Sequence, residues 1–329
     1  MKNKIIIFCQ ASADLLYTLD LLKKYDQAIV YVINVTSNYD FLVSLNLRHV
    51  EVIYLPYIKF SFFDPYSILN ARNQIKQKWA DLFKNYSGEE IIFFSTSYDW
   101  FTASMVSRLS KSNNIRYYNH YDHLTSLQGE DSFSLKRIIK REIFKFITNT
   151  RFKALSKVNF PKFDYEFYNI NKEDIVVKPD IPQELLYGPK EEGNKVLFFI
   201  SPAEIDYLTK ESFLELMQIL IRIKEKGYRL VVKGHPRLGE PKQFIEMADI
   251  IIPKSIPSEF LNYNCYDFVL GVTSAALCYP AEKELNIVFS LTDKLVFKDK
   301  AKQKGFKDYI NNYSRNRVLF NMDMDKLFK

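Results

Sequence analysis

Glycine is scarce in this chain, with nine in 329 residues, and no Gly-x-x-x-x-Gly-Lys-Ser/Thr run occurs. That excludes a P-loop nucleotide site of the ATPase type. There are three cysteines (Cys9, Cys265 and Cys278), too few for a disulfide framework, and the expectation is a reducing, cytoplasmic setting. No apolar run approaches the roughly 20 residues of a membrane span. The opening Met1-Lys-Asn-Lys followed by Ile5-Ile-Ile-Phe8 is too short for a signal peptide and soon meets Asp14, so a first strand is expected there. No helix-turn-helix, RNA-binding or zinc signature points to nucleic acid.

What is abundant is apolar and aromatic: 47% hydrophobic, with 27 Phe and 22 Tyr. These read mainly as core. The net charge of +7 suits anionic partners, either a small ligand or the anionic inner face of a bacterial membrane touched peripherally. The segment Leu135 to Ile147 alternates basic and apolar positions at helical spacing. It fits a membrane-surface helix or a helix packed on a sheet. The run Lys298 to Lys304 reads as a solvated face.

Near-continuous apolar strands are expected at 4–9, 28–35, 50–55, 90–94 and 115–118, alternating with helices at about 12–24, 66–86 and 98–110. Both-face burial in a mostly parallel sheet produces such runs. Residues 157–190 hold Pro161, Pro179, Pro182 and Pro189 without a sustained period, which predicts a linker. A second α/β series follows, with strands at 196–200, 229–233, 250–252, 266–270 and 285–289, and helices at 209–226, 241–248 and from about 274. The reading is therefore an α/β chain of two Rossmann-like domains, 1–156 and 191–329, facing each other across a cleft.

Five segments carry candidate chemistry. Lys233-Gly234-His235-Pro236-Arg237 ends a strand with an imidazole and two cations, as an anion site at a carboxyl sheet edge requires. Gly271-Val272-Thr273-Ser274 follows another strand, where hydroxyls cap a helix that would present N–H groups to a phosphate. Between them, Pro257-Ser258-Glu259 offers a carboxylate suited to a ribose hydroxyl pair. In the first domain, Asp122 lies between Tyr121 and His123, with His120 and Ser126 nearby; a carboxylate there can deprotonate a hydroxyl. His120, Asp122 and His123 lack the i,i+4 spacing of strong metal motifs, so no metal site is expected. Gln10 and Ser12, just after Cys9 and the first strand, would line the mouth of the cleft. Cys9 itself reads as a buried small hydrophobe.

Lys233-Gly234-His235-Pro236, Pro257-Ser258-Glu259 and Thr273-Ser274, in that order, resemble the motifs of bacterial sialyltransferases of the two-Rossmann, GT-B type. The nearest families are the lipooligosaccharide sialyltransferases and capsular polysialyltransferases. Their acidic motif is matched only by Asp122, with Tyr121 in place of an acid and His123 in place of glycine. The resemblance implies an inverting, metal-independent glycosyltransferase without cofactor. It would move sialic acid, or a related nonulosonic acid, from its CMP donor to a glycan or glycolipid hydroxyl. In that scheme Asp122 is the base, and His235 holds the leaving phosphate with Thr273 and Ser274. Glu259 holds the ribose, Lys233 and Arg237 raise the local potential, and Gly234 and Gly271 allow close approach. Gln10, Ser12, His123 and Ser126 face the acceptor. Other donors on the same fold (CMP-Kdo, a UDP sugar, a polyol phosphate) and a non-catalytic polysaccharide- or membrane-binding role remain as alternatives.

Overall fold

The computed structural model describes residues 2–84, 86–94, 100–119, 135–149, 170–174, 179–201, 203–235 and 240–321. Two compact units divide at Asp180 and Ile181.

The first unit carries β1 (Lys2–Cys9), α1 (Asp14–Leu22), β2 (Tyr25–Ile33), α2 (Thr36–Ser44), β3 (Val50–Leu55) and α3 (Pro65–Lys84). These are followed by β4 (Glu90–Phe94), α4 (Trp100–Leu109), β5 (Asn114–Asn119), α5 (Leu135–Thr148) and β6 (Ile170–Asp174). The sheet runs β3-β2-β1-β4-β5-β6, all pairings parallel. Ile5, Ile6, Ile7 and Phe8 on β1 are all fully buried, which is why the central strand reads as an unbroken apolar run. Phe8 stacks on Phe93 of β4 with ring centroids 4.4 Å apart. Ala71, Ile75, Trp79 and Leu82 recur at helical spacing and bury one face of α3.

The segment 157–190, expected to be a linker, supplies β6. Its sequence Ile-Asn-Lys-Glu-Asp has one apolar residue, and polar partners hold this edge strand in place. The Arg116 guanidinium of β5 makes paired bonds to Glu173, 2.5 and 2.8 Å long, and also bonds Glu90 on β4. Helix α2 was not anticipated either. It lacks a side-chain cap and mixes Ser37 and Asn38 with Phe41 and Leu42 on its buried side.

The second unit holds β7 (Lys195–Phe199), α6 (Lys210–Glu225), β8 (Arg229–Lys233), α7 (Lys242–Met247) and β9 (Ile250–Ile252). Then come β10 (Phe268–Gly271), α8 (Cys278–Glu282), β11 (Val288–Ser290) and α9 (Lys300–Tyr313). The parallel sheet runs β11-β10-β7-β8-β9. Leu216, Ile219, Leu220 and Ile223 press α6 onto it, and the Thr209 hydroxyl caps that helix by accepting from the Ser212 amide. The lysine run read as a solvated face opens α9, where the Asp299 carboxylate accepts from the amides of Ala301 and Lys302.

Counting strands within each unit, both sheets contain the order 3-2-1-4-5, the doubly wound Rossmann arrangement, with a sixth strand added in the first. Two such units in succession are the make-up of the GT-B class. Among the described residues, no helix is long and apolar enough to cross a membrane.

Candidate functional site

In an open parallel sheet of this order, chain connections leave in opposite directions from the first strand and its neighbour across the switch. A crevice opens at their carboxyl ends. In the second unit those strands are β7 and β10. The residues following them are Ser201 and Thr273, whose hydroxyl oxygens are 2.9 Å apart. On the other side of β7, β8 ends in Lys233-Gly234-His235, with the Lys233 carbonyl accepting from the Ile200 amide at 3.0 Å. The His235 and Thr273-Ser274 segments, far apart in sequence, thus flank a single central strand end.

The backbone around Thr273 is held from beneath. Ser290 and Thr292, at the end of β11, both donate to the Val272 carbonyl, at 2.7 and 2.6 Å. The Leu291 amide donates to the Gly271 carbonyl at 2.9 Å. A methyl group on Gly271 would meet the Phe199 carbonyl oxygen at 3.2 Å and Leu277 at 3.3 Å, so strand packing, not backbone conformation, selects glycine there. The Ser274 hydroxyl accepts from the Ala276 amide at 3.3 Å.

The helix expected from about residue 274 is short: a three-residue 3-10 turn, Ala275–Leu277, running into the five-residue α8. So short an element sums little macrodipole, and the hydroxyls themselves are the main resource at this strand end. Glu259 likewise lies on a 3-10 turn, Ser258–Phe260, and its carboxylate accepts from the Ser258 hydroxyl at 2.9 Å.

Lys233 is 4% exposed and its ammonium lies 3.5 Å from the Gly234 carbonyl. Burial pulls it down to about 8, against the charges of Glu240 and Glu259, which favour the protonated form. Those two carboxylates therefore lie within electrostatic reach of the β8 end. A side chain on Gly234 would collide with Glu240, so glycine keeps room for that carboxylate. His235 is partly exposed. Arg237, Asp122, His123 and Ser126 fall outside the described residues.

Sequence reasoning missed two members of the site. Glu204, in the turn after β7, is 2% exposed, and its Oε2 accepts from both the amide and the hydroxyl of Ser201, at 2.7 Å each. Its Oε1 is buried without a hydrogen-bond partner. Burial pushes the carboxyl up to about 7, and the Ser201 hydroxyl and nearby backbone amides hold back the rise. The signal was present: Ser201-Pro202-Ala203-Glu204 is a Ser-x-x-Glu capping box with proline at the first turn position.

In the first unit, the corresponding switch lies between β1 and β4. Asp14, fully buried, accepts from the amides of Gln10 and Ala11, both at 2.8 Å, and fixes the turn after β1. Gln10 is 7% exposed; its side chain donates to the Tyr57 hydroxyl and accepts from Thr102 at 3.2 Å. It braces the turn. Ser12 is more open and donates to Asn38 Oδ1 at 3.0 Å. Cys9 is fully buried and its thiol is pushed well up, first by burial and then by the Asp14 charge, which fits a packing role. Among the described residues, no cluster of three metal-ligating side chains occurs.

No protein-family model and no curated protein matches this chain. Among solved structures, it is similar to Arabidopsis thaliana UGT89C1 complexed with UDP, at 11% identity over 100% of this chain and 93% of that one, with a TM-score of 0.44. It is similar to the glycotransferase of kitacinnamycin at 9% identity, covering 97% and 85% of the two chains, with a TM-score of 0.47. It is also similar to the UDP-GlcNAc 2-epimerase of Methanocaldococcus jannaschii, at 12% identity over 94% and 93%, with a TM-score of 0.41. Likeness at this level decides neither reaction nor substrate.

Proposed function

We propose that the chain is an inverting glycosyltransferase of the GT-B class whose donor is a CMP-activated nonulosonic acid, sialic acid or a close relative. The observation that carries the reading is the convergence of Lys233-Gly234-His235 and Thr273-Ser274 on the strand ends flanking Ser201, at the switch point of a Rossmann-ordered sheet. Those segments, with Glu259 between them in sequence, are also the ones that resemble the bacterial sialyltransferase motifs.

In this mechanism the acceptor hydroxyl oxygen attacks the anomeric carbon as the bond from that carbon to the CMP phosphate breaks. The acceptor proton passes to Asp122, and the phosphate leaves with the bonding electron pair. Charge therefore grows on the phosphate oxygen in the transition state. His235 and the Thr273 and Ser274 hydroxyls stabilise it there, more strongly than in the ground state. Glu259 holds the ribose. The acceptor is a cell-surface glycan or glycolipid, consistent with a basic protein working beside an anionic membrane.

A thermal-shift screen with CMP, CDP, UMP, UDP and GDP tests the donor class, because a ligand that binds only the folded state raises its melting temperature. CMP-selective stabilisation is expected. A shift confined to UDP, or to none of the five, rejects the donor assignment. H235A should lower turnover by about 10² to 10³, the scale of a lost oxyanion donor; unchanged turnover removes His235 from the mechanism.

A further inference from the structure

We propose that Glu204 is a positioning residue whose protonation sets the direction of the Ser201–Thr273 hydrogen bond, and with it whether Thr273 can donate to an anionic ligand. The inference rests on the reading of the β10 end as an anion site.

Counting protons through the three side chains gives the argument. With Glu204 ionised, Oε2 is a pure acceptor and takes both the Ser201 amide and the Ser201 hydroxyl proton, the two 2.7 Å bonds observed. The Ser201 oxygen then serves Thr273, 2.9 Å away, only as an acceptor, so the Thr273 proton is spent inward. Thr273, 7% exposed, then has only lone pairs left to offer, the wrong polarity for a phosphate or sulfate oxygen. With a proton on Oε2, the carboxyl donates to the Ser201 oxygen while still accepting from the Ser201 amide. Ser201 donates to Thr273, and the Thr273 proton is free for the ligand. One proton taken up at Glu204 becomes one donor presented at the site, and no heavy atom moves. Oε1 is buried without a partner in either form, and that costs more when the carboxyl is ionised, which favours the neutral form.

Among the described residues, the charged groups around this chain of bonds are few. On its own turn Asp206 is exposed. The β8 end brings Lys233 and His235, and Glu240 and Glu259 act on Lys233. The β10 end, Gly271 to Ser274, has no ionisable side chain, and beyond β11 Asp293 is paired with Lys307 at 2.5 Å. Lys233 and His235 impose a pH dependence of their own on anion binding, so the test compares variants at each pH.

Sulfate is the probe because its charge is constant from pH 6 to pH 8. Its affinity is measured by thermal shift for wild type, E204Q, S201A and T273V at both pH values, with far-UV circular dichroism to confirm folding. A glutamine must set its carbonyl oxygen against the Ser201 amide, which locks the unfavourable polarity. The expected E204Q to wild-type ratio of dissociation constants is about ten at pH 6 and close to one at pH 8, the size of one hydrogen bond to a charged group. S201A should show the opposite pattern, near one at pH 6 and about tenfold tighter than wild type at pH 8. T273V should be weak at both.

E204Q binding as tightly as wild type at pH 6 and more tightly at pH 8 means that Glu204 acts only by charge repulsion, and overturns the proposal. Ratios that do not change with pH overturn it, as does sulfate protection that T273V leaves intact or that wild type never shows. The expected sulfate pattern without CMP selectivity supports the relay and rejects the donor assignment alone.

Discussion

Glu204 makes a prediction about stability that is independent of any ligand. Its carboxyl is wholly buried and lies at about 7 in the folded protein, against an ordinary value of 4.5. The folded state therefore holds the proton more tightly than the unfolded chain does. The stability this contributes is fully present below pH 4.5 and is lost as pH rises through about 7. At 1.36 kcal/mol per pH unit, the loss totals about 3 kcal/mol. Glu204→Gln keeps the shape and removes the titration. Its stability relative to wild type should rise with pH, gaining about 3 kcal/mol between pH 4.5 and pH 8.5.

The assay must report on the second unit. Both tryptophans, Trp79 and Trp100, lie in the first, so tryptophan emission does not serve. Amide hydrogen exchange in β7 and β8, compared between the two proteins at the same pH, cancels the intrinsic pH dependence of exchange and reads the difference directly. A variant that is less stable by the same amount at both pH values would refute the reasoning, because Glu204 would then be ionised throughout.

Three further outcomes follow from particular contacts. Gly271→Ala places a methyl 3.2 Å from a backbone oxygen that cannot retreat, and should cost about 1–3 kcal/mol in urea denaturation followed by circular dichroism; a neutral result would show that β7 and β10 can separate. Glu173 is held below the ordinary carboxylate range chiefly by its bonds to Arg116, so its stabilisation is present above the unfolded value and is lost as pH falls through the folded one. The Glu173 side chain is 40% exposed, so Glu173→Gln should cost no more than about 1 kcal/mol at pH 7 and less as the pH is lowered, read by the same denaturation. A thiol reagent should modify Cys265 first in the native protein and leave Cys9 untouched until unfolding, because Cys9 is fully buried and Cys265 is partly accessible; mass mapping of the labelled peptides decides it.

The strands that were legible in the sequence are those written as apolar runs. β3, β4, β8 and β9 match their expected bounds to the residue, although β3 and β9 are edge strands that expose Glu51 and Ile251. Polar edge structure left no such trace. β6 buries Ile170 in the core and ties Glu173 to Arg116 across the sheet, and the four residues after Ile170 look like linker. α9 hides in a lysine run because its start is marked by the Asp299 cap, while Ile310 alone is buried along its length.

The Glu204 case is of another kind, since its motif was readable but its meaning was not. A Ser-x-x-Glu box ordinarily announces a helix start at the surface, where the glutamate is solvated and worth a fraction of a kcal/mol to about 2 kcal/mol as a cap. Here the glutamate half of that box, with the Ser201 amide and hydroxyl both donating to the carboxylate, is carried inside the protein by the position of Ser201 at the central strand of a doubly wound sheet. Burial converts the cap's acceptor into a group that can hold a proton near neutral pH, and the neighbouring strand brings a hydroxyl within 2.9 Å to receive its consequence. Neither step is local in sequence: Ser201 and Thr273 are 72 residues apart, and only the strand order makes them partners. A capping box directly after the first strand of a Rossmann-ordered unit is therefore a pattern to examine for buried, proton-holding carboxylates, and its chemistry is set by the sheet above which it sits.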